Sequence, residues 1–202
     1  MHLLAVPSLP EIRLYTAHPA SGLRRFTWNG SAPYWAYPWA GGVALARHVL
    51  DRPEIVRGRR VLDLGSGSGI VGIAACKSDA AEVLAAEIDP NAVAALRLNA
   101  EANGVVIMTI DQDLTNGPAL DIDLVLVGDL FYTKDLADRV LGFLDRCLAA
   151  GSMVLVGDPG REFLPLERLD KIAEYAVPDV GEARGTATKP SAVFSLRPVI
   201  RK

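Results

Sequence analysis

Short apolar runs alternate with amphipathic segments along the chain from about residue 60 onward. Each run is continuous and is bounded by Gly or Asp, a pattern typical of strands that are buried on both faces of a sheet. We therefore predict strands at residues 61–64, 83–88, 105–110, 124–127 and 153–156.

Two of the intervening segments carry helix-end signals. Asp89 is a candidate N-cap, Pro90 suits the first helical position, and Gly104 follows the last turn. Thr133 is the candidate cap of a second helix, which has apolar residues at i, i+4, i+7 and i+8 and ends at Gly151. Strands that alternate with helices predict an α/β fold of Rossmann-like type, with a mostly parallel sheet and helices on both faces.

The two ends of the chain add to this core. Residues 1–32 are predicted to be an N-terminal extension that contains a short β-ribbon, and residues 43–50 form an amphipathic helix that stops at Pro53. Two final strands are expected at 173–177 and 192–197. With about 150 residues per domain as a guide, the 202 residues of the chain predict a single domain.

Composition and charge narrow the function classes. The chain has 21 Lys and Arg against 24 Asp and Glu, a formal net charge of −3, so a general nucleic-acid binder is not expected. Its two cysteines are isolated and its three histidines share no metal-ligand spacing, so no metal site is predicted. No apolar run is long enough to span a membrane and no secretory signal is recognised, which favours a cytoplasmic protein without membrane partners.

The segment VLDLGSGSGIVGIAA, residues 61–75, predicts a glycine-rich loop between a strand and a helix. Gly67, Gly69 and Gly72 match the G-x-G-x-x-G pattern of dinucleotide sites. Gly65, Gly67 and Gly69 after Asp63 instead match the acidic-x-G-x-G-x-G loop of S-adenosylmethionine methyltransferases. Asp63 favours the second interpretation, because its carboxylate would repel a pyrophosphate and attract an ammonium or sulfonium group. A turn that only packs helix against strand is the third alternative.

Acids at the ends of the next two strands complete a candidate cofactor site. Glu87 lies 22 positions after Gly65, where a carboxylate accepts hydrogen bonds from ribose hydroxyls. Asp113 follows the third strand and is placed to receive the adenine amino group, with Leu114 behind it to cover the adenine face. Asp111 is a competing candidate for the same role.

The fourth strand ends in an acid-x-x-aromatic sequence, Asp129 to Tyr132. Strand carboxyl ends border the ligand crevice of open α/β sheets, so Asp129 is expected near the transferable methyl group. A carboxylate can accept the N–H bonds of an amine and fix its direction, while the aromatic ring closes one side. The alternative is a solvated acid at a strand end beside a core tyrosine.

A second aromatic cluster, PYWAYPWAGG, occupies residues 33–42. Its density predicts a wall over the cofactor and an access channel for a substrate side chain, in which an apolar lining would lower the pKa of an amine. Trp35 and Phe131 are the candidate substrate contacts. The alternative is a packed N-terminal cap without a ligand.

Three segments together, PYWAYPWAGG, VRGRRVLDLGSGSGIVGIAA and GDLFY, resemble the seven-β-strand protein-lysine methyltransferases that have a D-x-x-Y motif. The resemblance covers about residues 33–160 and is far more specific than the glycine loop alone. It implies a last strand inserted antiparallel into the sheet. It also implies cofactor contacts at Asp63, Gly65, Gly67, Gly69, Glu87 and Trp39, and a lysine-positioning pair at Asp129 and Tyr132. The proline of the family's Tyr-Trp-Pro-Gly-Gly segment is displaced here, in Pro38-Trp39-Ala40-Gly41-Gly42.

The resemblance implies an S-adenosylmethionine-dependent protein-lysine N-methyltransferase that releases S-adenosylhomocysteine. It is strongest to members that act on the β-subunit of electron transfer flavoprotein, which is therefore the expected protein partner. A ribosomal protein or a small amine is the alternative acceptor. A non-catalytic nucleotide-binding module or a nicotinamide-dependent oxidoreductase is the alternative from another class, since fold does not determine function.

Overall fold

The computed structural model of the protein describes residues 1–17, 33–178 and 188–199. In chain order, its strands and helices are β1 (His2–Val6), β2 (Leu9–Thr16), α1 (Ala40–Asp51), β3 (Arg60–Leu64), α2 (Ile70–Lys77), β4 (Glu82–Ala86), α3 (Pro90–Ala102), β5 (Met108–Ile110), β6 (Leu124–Gly128), α4 (Lys134–Ala149), β7 (Met153–Asp158), β8 (Leu169–Pro178) and β9 (Thr188–Leu196).

A seven-stranded sheet in the order β5-β4-β3-β6-β7-β9-β8 forms the centre of the described chain. Strands β3 to β7 run parallel, whereas β9 runs antiparallel to both β7 and β8 and lies between them. The predicted α/β fold with a mostly parallel sheet is therefore confirmed. The antiparallel insertion of the last strand, which the family resemblance implied, is also present.

Two strands are shorter than predicted because neighbouring backbone groups are used elsewhere. Strand β5 begins at Met108, since the N–H of Val105 is bonded to the carbonyl of Ala100 at the end of α3. Strand β4 ends at Ala86, since the N–H of Ile88 is bonded to the Glu87 side chain instead of a neighbouring strand.

The predicted helix ends of α3 and α4 agree with the structure. The Asp89 carboxylate accepts a hydrogen bond from the N–H of Asn91, and the Thr133 hydroxyl accepts one from Leu136. Helices α1 and α2 pack on one face of the sheet and α4 packs on the other, so that each face carries its own apolar core. None of the helices in the described ranges has the length and apolar character needed to cross a membrane.

The β-ribbon predicted near the N-terminus is present as the antiparallel hairpin β1–β2. It packs on α3, where the N–H of Tyr15 donates to Asn99 Oδ1 at 2.8 Å and the N–H of Arg13 donates to Asn103 Oδ1 at 3.0 Å. The rest of the predicted extension, residues 18–32, lies outside the described residues, as do residues 179–187 of the polar connection between β8 and β9.

Candidate active site

A cavity of about 500 Å³ opens at the carboxyl ends of β3, β4 and β6. Parallel strands bring these ends to one edge of the sheet, where open α/β proteins bind their ligands. The cavity brings together most of the residues predicted from the sequence: Trp39, Asp63, Gly65, Gly67, Glu87, Asp113, Leu114, Asp129 and Tyr132.

Gly69 does not line the cavity and has a structural role instead. It is the N-cap of α2 with φ +79°, and a Cβ added there would lie 2.9 Å from Leu96 Cγ. Glycine is required at this position because the backbone is left-handed and α3 is close. Gly65 and Gly67, with φ +66° and +52°, form the part of the loop that faces the cavity.

The two expected substrate contacts, Trp35 and Phe131, are core residues in the structure. Trp35 is 5% exposed; it lies in the one-turn 3-10 helix Tyr34–Ala36 and packs with Ala92 and Ala95 of α3. Phe131 is fully buried against the apolar face of α4, while its neighbours in the loop face the cavity. Neither ring lines the cavity, so the structure does not place them where the sequence expected a substrate contact.

The Glu87 carboxylate ties the glycine loop to the next strand end and to the aromatic segment. Its Oε2 accepts the N–H of Gly67 at 2.9 Å. Its Oε1 accepts the N–H groups of Ile88 and Asp89 at 2.8 and 3.0 Å and the hydroxyl of Tyr34 at 2.7 Å. These bonds hold a carboxylate, 4% exposed as a residue, at the place where the sequence predicted ribose recognition.

Asp63 caps helix α2 from the neighbouring strand. The N-cap residue of this helix is a glycine, which has no side chain to accept a hydrogen bond. Asp63 Oδ2 accepts one instead, from the N–H of Gly72, the third helical residue, at 2.9 Å. The pKa of Asp63 is raised to about 7, mainly by burial; the Gly72 N–H opposes this rise and the negative charge of Glu87 adds to it. Asp63 also lines the cavity, where its carboxylate, when ionised, would attract a cationic ligand group.

Asp129 has the same relation to helix α1. The N-cap of α1 is Trp39, which makes no capping bond, and Asp129 Oδ2 accepts the N–H of Gly42, the third helical residue, at 2.8 Å. The backbone of Asp129 is left-handed, with φ +61°. Burial raises the pKa of Asp129, while Arg161 and the N–H groups of Gly42 and Gly41 lower it.

Close backbone packing brings the start of α1 to Asp129. A Cβ added to Gly41 would lie 2.2 Å from the carbonyl oxygen of Gly157 in β7, and a Cβ on Gly157 would lie 2.2 Å from the carbonyl oxygen of Gly41. No side chain fits between these two backbones. The pair of glycines therefore allows α1 to aim its first N–H groups at the end of β6.

Two arginines that were not predicted from the sequence also line the cavity, and each pairs with a different acid. Arg161 donates to Asp129 Oδ1 through Nη2 at 2.6 Å and Nε at 3.2 Å. The Thr115 hydroxyl donates to Asp113 Oδ1, and Arg139 donates to Asp113 Oδ2 at 2.7 Å. Both interactions lower the pKa of Asp113 from its usual value. A basic residue in the turn after β7 was a usable signal for Arg161, because that turn borders the crevice.

Four aromatic side chains form the outer wall of the cavity. The Trp39 indole N–H donates to the carbonyl oxygen of Tyr34 at 2.8 Å, and the Trp39 and Tyr37 rings lie 6.4 Å apart at a tilted angle. Tyr132 lies on the wall after β6 and is 56% exposed. The aromatic segment thus lies along the cavity, where the sequence predicted a wall over the cofactor.

Comparison with known proteins gives one partial and several nearly complete matches. The sequence model of the family described as ribosomal protein L11 methyltransferase (PrmA) matches residues 45–128. The electron transfer flavoprotein beta subunit lysine methyltransferase of Rattus norvegicus is 40% identical over 198 residues, which cover 94% of this chain and 78% of that protein. The protein of the same description from Homo sapiens is 39% identical, with 94% and 76% covered.

Solved structures agree with the fold. The ribosomal protein L11 methylase of Lactobacillus delbrueckii subsp. bulgaricus superposes with a TM-score of 0.53 and 24% identity, over 76% of this chain and 77% of that chain. The magnesium protoporphyrin IX methyltransferase of Synechocystis superposes with a TM-score of 0.53 and 16% identity, over 75% and 77%. Because 94% of this chain aligns with the rat protein at 40% identity, this chain belongs to the family of electron transfer flavoprotein β-subunit lysine methyltransferases.

Proposed function

We propose that the protein transfers a methyl group from S-adenosylmethionine to a lysine side chain of the β-subunit of electron transfer flavoprotein. The observation that carries this proposal is that Asp129 and the Gly65–Gly67 loop open into one cavity. A methyl transfer in a single displacement needs donor and acceptor in one line and in contact, so both must be held in the same space.

The cavity residues fit S-adenosylmethionine. A volume of about 500 Å³ is in the range of small-molecule sites. Ser66, between the two cavity-facing glycines of the loop, also lines the cavity, and its buried Oγ has no hydrogen-bond partner in the described residues. Glu87 and Asp113 would hold the ribose and the adenine, and Asp63 would lie near the cationic methionine part. When bound, this cofactor supplies an electrophilic methyl group on its sulfonium.

On the acceptor side, the chain's own residues orient an amine and exclude water. Arg161 bonds to Asp129 Oδ1, so Oδ2, which accepts the Gly42 N–H, is the oxygen to which an incoming amine N–H would be directed. The rings of Tyr132 and Trp39 form the wall past which a lysine side chain would extend. Aromatic walls exclude water, which lowers the pKa of an amine and leaves its lone pair free for the methyl group.

The choice of protein substrate rests on the extent of the similarity. The relatives described as electron transfer flavoprotein β-subunit lysine methyltransferases match along 94% of this chain. The ribosomal protein L11 methyltransferase family matches only to residue 128, one residue before Asp129. That second match covers the glycine loop and Glu87 but not the acceptor side, so it favours a shared cofactor over a shared substrate.

The test is direct methylation. Purified protein is incubated with labelled S-adenosylmethionine and, in parallel, with the electron transfer flavoprotein β-subunit, ribosomal protein L11 and free lysine, and products are located by peptide mass spectrometry. We expect label on lysines of the flavoprotein subunit. Label on L11 alone would identify the alternative substrate, and label only on free lysine would exclude a protein substrate. Cytoplasmic localisation remains a prediction from the sequence.

A further inference from the structure

The turn after β7 places an arginine at the acceptor end of the cavity. Asp158, the last residue of β7, accepts the N–H of Gly160 at 2.8 Å and of Arg161 at 2.7 Å through its Oδ1. Gly160 has φ +96°, a conformation that glycine adopts at little cost. The turn therefore holds the Arg161 backbone at the mouth of the site, from where its side chain extends inward.

The Arg161 guanidinium lies between Asp129 and an aromatic ring. Nη2 and Nε both donate to Asp129 Oδ1, at 2.6 and 3.2 Å. The guanidinium carbon lies 5.8 Å from the centre of the Trp39 ring, within the range of a cation–π contact. Asp129 is 8% exposed as a residue and the Arg161 side chain is 25% exposed, so this ion pair is shielded from bulk water.

The other charged groups around Asp129 do not replace Arg161. Asp158 is a second acid beside Arg161, and its Oδ2 lies 3.9 Å from Arg161 Nε, farther than Asp129 Oδ1. This Oδ2 is buried without a hydrogen-bond partner in the described residues, and burial raises the pKa of Asp158. Other polar and charged groups near this ion pair come from neighbouring elements. They are the first N–H groups of α1, the Tyr132 hydroxyl and, farther along the cavity, Glu87 and Arg139. Among the residues that the structure describes, Arg161 is the cation in direct contact with Asp129.

We propose that Arg161 is a positioning residue that neutralises Asp129, so that the acceptor site takes up a lysine side chain as the unprotonated amine. This inference rests on the proposed function, because it concerns how that site receives its acceptor. An unpaired carboxylate within hydrogen-bond distance would stabilise the ammonium form, which has no lone pair to attack the methyl group. The ion pair leaves Asp129 able to accept an N–H bond from the neutral amine without holding the proton.

The inference predicts opposite effects on binding and turnover. Without the guanidinium, Asp129 would bind the ammonium form well, so KM for the protein substrate stays equal or falls. Turnover falls instead, because an opposite charge at this distance raises the pKa of the bound amine by about one unit or more. Below that pKa, kcat drops at least about tenfold, and it recovers as the pH is raised.

The experiment compares Arg161→Gln, which removes the charge, with Arg161→Lys, which keeps it. We expect the acidic limb of the kcat–pH profile to move to higher pH by about one unit in Arg161→Gln and to stay near the wild-type position in Arg161→Lys. Arg139→Gln is the matched control, since Arg139 lines the same cavity but pairs with Asp113. It should leave the position of the acidic limb unchanged, whatever its effect on cofactor affinity. An Arg161→Gln enzyme with equal loss of kcat at every pH would overturn the proposal.

A second readout does not depend on methyl transfer. The Asp129 carboxyl carbon is followed by NMR titration in wild type and in Arg161→Gln, after S-adenosylhomocysteine binding has shown that both proteins are folded. We expect Asp129 to titrate at higher pH in the variant, since a neighbouring cation is lost. An unchanged titration would refute the electrostatic role of Arg161. If the wild-type protein methylates no amine, the proposed function fails, while this titration still decides the pairing.

Discussion

At the scale of single residues, Asp63 and Asp129 perform the same task at two different helices. Each lies at the end of a parallel strand and accepts the N–H of the third residue of a helix whose own N-cap residue offers no side-chain bond. Each is also a wall of the cavity. The chemistry proposed for the site and the anchoring of α1 and α2 therefore involve the same carboxylates, so a substitution there is expected to affect both activity and stability.

Asp129 gives the first prediction. In Asp129→Ala the Gly42 N–H loses its acceptor, and alanine must adopt the left-handed backbone conformation of residue 129. We expect the unfolding free energy to fall by about 1–3 kcal/mol. Asp129→Asn keeps an oxygen for this N–H, and asparagine tolerates the left-handed conformation, so most of the stability is retained. Methyl transfer in Asp129→Asn should nonetheless fall on the order of a hundredfold.

The measurements are urea unfolding, S-adenosylhomocysteine affinity and single-turnover methylation. Asp129→Asn, and not Asp129→Ala, separates the acceptor role from helix capping. Full methylation activity in Asp129→Asn would exclude Asp129 as the residue that orients the amine.

Asp63 gives a prediction about pH. Its pKa rises from the ordinary value near 3.8 to about 7 in the folded protein, so folding favours the protonated form. Its stabilising contribution is present below the pKa of the unfolded chain and is lost as the pH rises towards 7, at a cost of roughly 4 kcal/mol above that pH. Asp63→Asn should therefore be more stable than wild type at pH 8, in the absence of ligand, and should lose this advantage near pH 4.

Paired urea titrations of wild type and Asp63→Asn at several pH values test this, because the titration of other groups cancels in the difference. The same substitution should weaken S-adenosylmethionine binding at pH 8, since a cationic ligand part loses its carboxylate. A stability difference that does not change with pH would show that ionisation of Asp63 carries no cost.

At the scale of elements, the start of α1 is the part most sensitive to volume. Gly41→Ala would place a methyl group against the backbone of β7, and since a carbonyl oxygen cannot rotate away, α1 must shift. We expect a loss of roughly 1–3 kcal/mol in unfolding free energy and a marked loss of methylation, because the shift also moves the Gly42 N–H away from Asp129.

The matched control is Gly142→Ala in α4. This glycine is also helical, but a Cβ there meets only the end of the Arg146 side chain, at 3.8 Å. The same substitution should increase the unfolding free energy by up to about 1 kcal/mol, because alanine is the better helix former. Equal effects of the two substitutions would contradict the close contact between α1 and β7.

At the scale of the whole molecule, the cofactor should stabilise the fold. S-adenosylhomocysteine at 100 times its dissociation constant should add about 2.7 kcal/mol to the unfolding free energy and raise Tm by roughly 5–10 °C for a chain of this size. Differential scanning fluorimetry with this ligand and with NAD measures the effect. Stabilisation by NAD alone would support the dinucleotide interpretation of the glycine loop and overturn the proposed function.

Local patterns in the sequence were sufficient to predict most strands and helices of this molecule and the position of its glycine loop. Strand runs, helix caps and the glycine loop involve neighbours within a few positions, and parallel strands necessarily bring their ends to one edge. That geometry is why Asp63, Glu87 and Asp129, from three different strands, were correctly expected in one place. Side-chain direction within a loop has no such rule, and therefore Trp35 and Phe131 were assigned to the substrate although they are buried in the core.

The sequence by itself therefore determined the fold class, the family and most of the acids that line the cavity. Only the tertiary structure decided how those acids are used, because the contacts that use them join distant parts of the chain. The Gly42–Asp129 hydrogen bond joins residues 87 positions apart, and the Arg161–Asp129 ion pair joins residues 32 positions apart. Neither spacing carries a local signal, since both contacts depend on where packing places a helix start and a turn at the edge of the sheet.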